Sequence, residues 1–478
     1  MDGNGYDRQA VSPELVIGKV LARQRAAYLT DINPALVLRV DRLDRLERMI
    51  LVWQERLAQA ISEDFGSRSP VVTTLADIVP TRAAIRHARR HLKGWMRPRR
   101  VPLAWTGQPG SGLILRQPLG VVGIIAPWNY PMNLTLSPLV GALAAGNRAM
   151  LKPSELTPRF SEVLDAAVKA FFAEDEVAVI TGGPEVAAAF SAAPFDHLMF
   201  TGSTAVGRKV AEAAARNVTP VTLELGGKSP AIIDASADLD SAVPRLIWGK
   251  LLNSGQTCVA PDYALVPRDR VEAFVAAAKA AAERQYPRLA DNPDYTSIIS
   301  ARHFDRLAGL IEEARDKGAK VIELLPGTDA ARRILAPVII TGANDTMALM
   351  REEIFGPILP VIPYDTLDEA LAFINARDRP LALYWFGTDR KAEGRVLNGT
   401  ISGGVTINDT ILHLAQDNLP FGGVGASGYG ACHGEAGFVA MSKEKPVLRQ
   451  SRLSAVALLY PPYGRLAGML LKVLAKFG

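Results

Sequence analysis

Residues 119–153, LGVVGIIAPWNYPMNLTLSPLVGALAAGNRAMLKP, decide the fold class. Two short apolar runs, LGVVGIIAP and RAMLKP, lie on either side of a segment with a helical pattern, NLTLSPLVGALAAG. Glycine and proline bound each run, so the stretch predicts a strand, a helix and a second strand. Residues 117–147 carry no charge, but four prolines interrupt them and argue against a continuous membrane-spanning helix.

The alternation of strand and helix extends in both directions along the chain. Residues 13–64 have the pattern of long amphipathic helices, and the apolar runs VAVITG, HLMFTG and VTLEL follow the opening stretch with helical segments between them. This order predicts a Rossmann-like, doubly wound parallel sheet, which binds ligands at the carboxyl ends of its strands. A second α/β set follows, with the runs SPAIIDA, DYALVP, KVIELL, PVII, ILPVIPYD, LALYWFG and GGVTIND. The fold class is therefore α/β, and 478 residues exceed the roughly 250–300 that a single core supports.

Charge and targeting signals restrict the classes of partner and location. The net charge is +5, and six basic residues with no acid follow Glu444, so the preceding chain carries −1. That distribution argues against a nucleic-acid-binding surface. Asp2 and Asp7 precede any apolar run and no basic region is present, so the N-terminus does not have the pattern of a signal peptide.

The two cysteines, Cys258 and Cys432, cannot form a disulfide framework, so we expect a reducing, cytoplasmic location. Together with six histidines they show no metal-ligand spacing, and no metal is expected. Cys258 lies in LLNSGQTCVAPDYALVP, where no charge occurs between Lys250 and Asp262. It either packs as a small hydrophobic side chain or acts as a nucleophile, whose pKa the uncharged surroundings would raise.

Other candidate residues also have both a functional and a structural interpretation. Glu224, in VTLELGGKSPA, suits a general base in apolar surroundings or a hydrogen-bonded structural glutamate. Asn129, in APWNYPMN, suits an oxyanion donor or a turn residue. HLMFTGSTAVGRKV predicts a strand, a glycine turn and a helix whose N-terminus suits a phosphate, although many such joints bind nothing. Lys152 and Glu155 suit ribose hydroxyls or a surface ion pair.

Taken together, these motifs resemble the aldehyde dehydrogenase superfamily. The resemblance covers nearly the whole chain and rests on PWNYP, FTGSTAVG, LELGGKSP, SGQTC, EEIFGP and LPFGGVGASGYG. LLNSGQTCVAPDY and SGGVTINDTILH resemble the class-three branch of that superfamily. Within the branch, ARRHLKGWMRPRRV, ADNPDYTSII and LLYPPYGRLAGMLLKVL resemble the coniferyl aldehyde dehydrogenases of bacteria.

The resemblance implies an oxidoreductase with a catalytic cysteine. Cys258 would attack the aldehyde, and the Asn129 amide with the Cys258 N–H would hold the oxyanion of the thiohemiacetal. Hydride transfer to NAD or NADP would leave a thioester, which water activated by Glu224 would hydrolyse to the acid. The residues implied for cofactor binding are Trp128, Lys152, Glu155, Gly202, Ser203, Gly207, Glu353 and Phe355. Those implied for the aldehyde tunnel are Tyr130, Trp248, Ile411 and His413.

The resemblance also implies a domain organisation and a homodimer. Residues 1–98 and 121–225 are predicted to form the NAD(P)-binding domain, and residues 226–415 the catalytic domain. Residues 99–120 and 430–455 are predicted to form a small oligomerisation hairpin or arm that bridges subunits. The substrate implied is an aromatic aldehyde such as coniferaldehyde. An aliphatic or fatty aldehyde is the alternative, and a catalytically silent protein on this fold is disfavoured because Cys258, Glu224 and Asn129 are all present.

Two features depart from this pattern or add to it. Cys432 stands where an aromatic residue is expected, and we expect it to be chemically inert.

Residues 456–478 are predicted to form an amphipathic tail, with the cations Arg465, Lys472 and Lys476 off the apolar stripe. Such a helix either packs on a subunit or makes weak contact with an anionic membrane surface. The apolar stripe consists of Leu466, Met469, Leu470, Val473, Leu474 and Phe477.

Overall fold

The computed structural model describes residues 12–104, 107–453 and 455–477. The helices are α1 Pro13–Thr30, α2 Leu36–Phe65, α3 Pro70–Thr73, α4 Val79–Trp95, α5 Pro131–Ala145, α6 Pro158–Phe171, α7 Pro184–Ser191, α8 Thr204–Ala215, α9 Leu239–Leu251, α10 Val271–Gln285, α11 Ala301–Asp316, α12 Ala348–Arg351, α13 Leu367–Asn375, α14 Arg390–Gly399, α15 Gly434–Ala440 and α16 Arg465–Phe477. The strands are β1 Arg99–Val101, β2 Ser111–Pro118, β3 Val121–Ile125, β4 Arg148–Lys152, β5 Val177–Val179, β6 His197–Gly202, β7 Val221–Leu225, β8 Pro230–Ile233, β9 Tyr263–Pro267, β10 Lys320–Glu323, β11 Val338–Thr341, β12 Ile358–Tyr364, β13 Ala382–Phe386, β14 Gly404–Ile407, β15 Gly428–Tyr429 and β16 Ser442–Arg449.

The first sheet confirms the predicted doubly wound arrangement. Its strand order is β15-β7-β6-β3-β4-β5, and β3 to β7 pair in parallel. Successive side chains of a strand point to opposite faces, and β3 shows both faces covered. Val122 and Ile124 pack with α2, α4 and α5, whereas Val121 and Ile125 pack with α1 and α7. Burial on both faces explains why each strand reads as an unbroken apolar run.

The second sheet contains the other predicted set of strands. Its order is β10-β11-β12-β9-β8-β13-β14, parallel except for the antiparallel pair β10 and β11. Ala264 and Val266 of β9 pack against α9 and α10, and Leu265 packs on the opposite face. The two sheets give the chain the predicted α/β fold, with buried apolar clusters on both faces of each sheet.

A third, antiparallel sheet has the order β1-β2-β16. Strand β2 pairs along its whole length with β16, from Ser111 opposite Arg449 to Pro118 opposite Ser442. Part of the predicted arm, residues 430–441, instead packs on the first domain. There α15 lies against α5, and a Cβ built on Gly141 would be 3.5 Å from the Gly437 backbone. The predicted segments include Trp105, Thr106 and Ser454, which lie outside the described residues, as do residues 1–11 of the predicted cofactor domain.

The uncharged stretch of residues 117–147 divides as predicted into the end of β2, strand β3, a loop and the buried helix α5. None of the helices in the described ranges is long and apolar enough to cross a membrane. The predicted C-terminal helix is α16. The side chain of Phe477, the last residue of its predicted stripe, lies outside the described residues.

Candidate active site

Cys258 lies in a tightly turned segment that buried polar side chains hold in place. After α9 the chain passes through Asn253, Ser254 and Gly255, all with positive φ between 54° and 75°. This conformation strains non-glycine residues and persists only where the surroundings enforce it. A Cβ on Gly255 would lie 2.4 Å from the Gly356 carbonyl oxygen, so only glycine fits. The motif SGQTC therefore encodes a specific backbone path as well as a thiol.

Gln256 is the main anchor of this segment. It is fully buried, and its Nε2 donates to the carbonyl oxygens of Asn253 and Ser297 at 3.0 and 3.1 Å. Its Oε1 accepts from the Ile299 N–H at 3.0 Å. Bonds from one rigid amide to three backbone positions fix the orientation of the next two residues, Thr257 and Cys258.

Burial, with smaller contributions from the nearby carboxyl groups of Glu353 and Glu224, raises the pKa of the Cys258 thiol to about 12. The side chain nevertheless keeps partial contact with the cleft. At neutral pH the thiol is therefore protonated, as the uncharged sequence around it predicts. A base or bound ligand must assist its deprotonation before it can attack a substrate.

Asn129 lies on the loop that follows β3 and is 2% exposed. Its side-chain Nδ2 donates to the Gln256 backbone carbonyl oxygen at 3.1 Å. Its backbone carbonyl oxygen accepts from the Arg68 guanidinium at 2.9 Å. The side-chain amide has two N–H groups, and the second has no acceptor among the described residues. An amide that is held by one N–H and free at the other is well arranged to stabilise an oxyanion beside Cys258.

Glu224 lies on β7 and is 4% exposed. Neither of its carboxyl oxygens has a hydrogen-bond partner among the described residues. Desolvation raises its pKa well above the ordinary value, and the Cys432 thiol acts in the opposite direction. A buried carboxyl group with unoccupied oxygens suits proton transfer better than structural support.

A cleft of about 830 Å³ joins these three residues. It also contains most of the residues predicted to bind the cofactor, namely Trp128, Gly202, Ser203, Glu353 and Phe355. The Trp128 and Phe355 rings meet edge to face, with centroids 5.4 Å apart. A Cβ on Gly226 would lie 2.1 Å from a Glu353 oxygen, so glycine allows that carboxyl group to approach the turn after β7.

Groups in and near the cleft have the chemistry to bind the phosphates and the ribose of a dinucleotide. Ser203 caps α8, and Thr204 and Ala205 line the cleft at the helix N-terminus, where free N–H groups favour phosphate. Lys152, at the end of β4, is 1% exposed and donates to the Pro153 carbonyl oxygen at 2.9 Å. Its Nζ lies 4.0 Å from Glu155 Oε2. The buried ammonium group therefore has N–H groups that can donate to another acceptor.

Comparison with known proteins now identifies the family. The model of the aldehyde dehydrogenase family matches residues 27–447. This chain belongs to the aldehyde dehydrogenase family. It is 50% identical over 458 residues to the probable coniferyl aldehyde dehydrogenase of Caulobacter vibrioides, with 94% of each chain covered. It is 47% identical over 463 residues to the coniferyl aldehyde dehydrogenase of a Pseudomonas species, with 96% of each covered.

Solved structures agree with this identification. The substrate-bound state of Staphylococcus aureus AldH matches with a TM-score of 0.91 and 38% identity, covering 97% of this chain and 99% of that one. The Mycobacterium tuberculosis aldehyde dehydrogenase complexed with NAD+ matches with a TM-score of 0.81 and 28% identity, covering 91% and 90%. The chain is an NAD(P)-dependent aldehyde dehydrogenase that oxidises aldehydes to carboxylic acids, which confirms the predicted fold and activity.

Several predicted residues of this aldehyde dehydrogenase do not line the large cleft. Gly207 instead packs α8 closely on β7, because a Cβ there would lie 2.6 Å from a Leu225 methyl group. Lys152 and Glu155 lie beyond the cleft wall, at the end of β4. The tunnel residues Tyr130, Trp248, Ile411 and His413 are also outside the cleft.

The predicted tunnel residues instead contact the Cys258 segment and its core. The Tyr130 hydroxyl is 2.6 Å from Thr257 Oγ1, next to the nucleophile. Trp248, Ile411 and Cys258 belong to one apolar cluster. The His413 ring lies 6.2 Å from that of Tyr384, and burial lowers the His413 pKa to about 4, so the imidazole is neutral.

Several residues of this site were not predicted from the sequence. Arg68 is completely buried, pairs with Asp77 at 2.6 Å and supports the Asn129 loop, although nothing in SEDFGSRSP indicates this. His303 and Lys228 line the cleft, and only Lys228 had a signal, its place in LELGGKSP. Cys432 was expected to be inert, but it lies beside Glu224 in a small cavity.

Proposed function

We propose that this enzyme oxidises an aromatic aldehyde of the coniferaldehyde type to its acid, with Cys258 as the nucleophile. The observation that carries the proposal is the placement of Cys258, the Asn129 amide and the Glu224 carboxyl group in one cleft. The two relatives described above are named for coniferyl aldehyde, which supports the substrate class.

In the proposed mechanism Cys258 loses its proton and its sulfur attacks the aldehyde carbon, forming a thiohemiacetal. The free N–H of Asn129 and the backbone N–H of Cys258 stabilise the oxyanion. The hydride on the thiohemiacetal carbon would leave to NAD or NADP when one of these is bound, which converts the thiohemiacetal into a thioester on Cys258. Glu224 then takes a proton from the water that attacks the thioester, the C–S bond breaks, and the carboxylic acid is released while Cys258 is regenerated.

The proposed cofactor contacts follow the same geometry. Ser203 and the α8 N-terminus would hold the diphosphate, with Trp128 beside it. Lys152 and Glu155 would contact the adenosine ribose, and Glu353 with Phe355 would position the nicotinamide end. Burial, with a smaller contribution from Asp262, raises the pKa of Glu353 to about 8. Ribose hydroxyls would supply donors to this carboxyl group and favour its ionised form.

The aromatic side chains near Cys258, such as Trp248, favour an aromatic aldehyde over an aliphatic one. We expect kcat/KM for coniferaldehyde to exceed that for hexanal by roughly tenfold, because aromatic contacts contribute about 0.5–1.5 kcal/mol beyond burial. A panel of aromatic and aliphatic aldehydes, followed by absorbance of the reduced cofactor with NAD and with NADP, measures this ratio. The variant Trp248→Ala should reduce the ratio by lowering coniferaldehyde turnover selectively.

An aliphatic substrate is the second candidate. The chain is 39% identical to the 4,4'-diaponeurosporen-aldehyde dehydrogenase of Staphylococcus aureus, which is named for an aldehyde other than coniferaldehyde. A kcat/KM that rises with chain length and exceeds the value for coniferaldehyde would support this candidate and contradict the aromatic proposal.

We also propose a cytoplasmic homodimer. Both cysteines are free thiols, which suits a reducing compartment. The third sheet and the chain after it expose large apolar residues, including Leu448 and Leu453, at a position suited to contact between subunits.

The C-terminal helix α16 presents a second exposed apolar surface. Ala467 is buried, whereas Leu466, Met469 and Val473 are exposed in the single chain. We expect weak binding to anionic vesicles at low salt, with about 1 kcal/mol from each nearby cation, and loss of binding when the chain is cut after Tyr463. Co-sedimentation of the full and the shortened chain measures this. Equal sedimentation would remove the membrane contact, and a changed subunit number in the shortened chain would favour packing against the partner instead.

A further inference from the structure

Cys432 shares a small cavity of about 30 Å³ with Glu224 and Cys258. This volume suffices for about one water molecule. Cys432 follows β15, whose Gly428 pairs with Glu224, so the chain turns back beside the carboxyl group. Its backbone exchanges two hydrogen bonds with Phe421, at 2.7 and 3.1 Å. The thiol is therefore held in a defined position near the catalytic residues.

The Glu224 carboxyl group has few ways to compensate for its burial. It is 4% exposed, and neither oxygen has a hydrogen-bond partner among the described residues. The Cys432 thiol lines the same cavity as Glu224, and its proximity lowers the Glu224 pKa against the larger effect of burial. Burial and the adjacent Glu224 in turn raise the pKa of Cys432, as expected for a thiol that keeps its proton beside a carboxylate.

We propose that Cys432 is a positioning residue for hydrolysis of the thioester: its S–H, which lies in the same cavity as the Glu224 carboxyl group, turns to donate to the carboxylate during this step and holds it, ionised, beside Cys258. This inference rests on the proposed role of Glu224 as the base. In that step Glu224 takes a proton from water, the water oxygen bonds to the thioester carbon, and the C–S bond to Cys258 breaks. A thiol is a weak donor, so the effect on the rate is moderate.

The other titratable groups near Glu224 do not produce the same pH dependence. His433, in the cavity wall, stays neutral because burial lowers its pKa to about 4. The Cys258 thiol is protonated at neutral pH in the free enzyme. Glu353 and Lys228 face the large cleft. Both are retained in every Cys432 variant, so their effect on the pH dependence of deacylation is the same in all of them.

The test uses p-nitrophenyl acetate, an activated ester that acylates a nucleophilic thiol without a cofactor. Release of p-nitrophenolate in the first turnover reports acylation, and intact-protein mass spectrometry of quenched samples reports decay of the acetyl-enzyme. The full-length enzyme is compared with Cys432→Ala, which lacks the donor, and with Cys432→Ser, which retains one. Glu224→Gln serves as the control for the base itself.

In Cys432→Ala we expect acylation within about twofold of wild type and deacylation slowed roughly three- to tenfold at neutral pH. Loss of the donor raises the Glu224 pKa, so a larger fraction is protonated at a given pH. The acid limb of the deacylation profile should therefore move upward by about half to one pH unit, with the rates converging at higher pH. Cys432→Ser should keep the wild-type limb.

An unchanged acid limb in Cys432→Ala would overturn the inference, as would equal losses in acylation and deacylation, which indicate a packing defect. Identical behaviour of the serine and alanine variants would also overturn it. If instead Glu224→Gln deacylates at the wild-type rate, the assignment of Glu224 as the base fails, and that outcome is separate from any result obtained with Cys432.

Discussion

Cys258→Ser is expected to lose at least about a thousandfold in kcat for aldehyde oxidation while it still binds the cofactor. Serine has nearly the same size, so the turn at residues 253–255 and the cleft should be preserved. A hydroxyl group is a much weaker nucleophile than a thiol, and the buried, uncharged surroundings that already raise the thiol pKa would disfavour an alkoxide still more.

Steady-state turnover and cofactor titration by protein fluorescence test this expectation. Cys432→Ser is the matched control, since it removes the other thiol of the chain and should remain active. Turnover of Cys258→Ser near the wild-type rate would rule out Cys258 as the nucleophile.

Glu224→Gln should separate the two halves of the reaction. The variant is expected to give a rapid first turnover of reduced cofactor, followed by a steady state about 100- to 10,000-fold slower than wild type. Glutamine keeps the shape of the side chain and does not disturb Cys258 or Asn129, but it cannot accept the proton from water. Stopped-flow absorbance of the reduced cofactor measures both phases.

The matched control is Glu353→Gln, because Glu353 is the other buried carboxyl group that acts on Cys258. Its proposed role is to hold the nicotinamide end of the cofactor, so this variant should weaken cofactor binding or slow the first turnover and leave acyl-enzyme hydrolysis unchanged. A lost burst in Glu224→Gln with intact cofactor binding would place Glu224 before or at hydride transfer. Fast steady-state hydrolysis would exclude it as the base.

The arrangement of strands could be predicted because burial on both faces makes a parallel strand apolar throughout. β3, β4 and β6 lie in the runs LGVVGIIAP, RAMLKP and HLMFTG. The middle of each run is apolar, and each run ends in proline or glycine. Helix α5 was also predictable, because Pro131 fits at the first position of a helix. The functional residues were identified from motifs rather than from periodicity, and the cleft brings Cys258, Glu224 and Asn129 together.

What could not be predicted depends on contacts between distant segments. Cys432 meets Glu224 only because two residues form β15 and pair with the edge of the first sheet, and so short a strand has no sequence signal of its own. Arg68 supports the Asn129 loop across 61 positions of sequence. The close contact of Gly207 with Leu225 was likewise not predictable, because it joins α8 to β7.

The most direct test of the central claim is to locate the covalent intermediate. Glu224→Gln is mixed with NAD and coniferaldehyde, quenched in acid after the first turnover, digested and analysed by mass spectrometry. The account predicts the acyl group of the corresponding acid on the peptide that contains Cys258, and none on the peptide that contains Cys432. An acyl group on Cys432, or reduced cofactor formed without any acyl group on Cys258, would contradict the account.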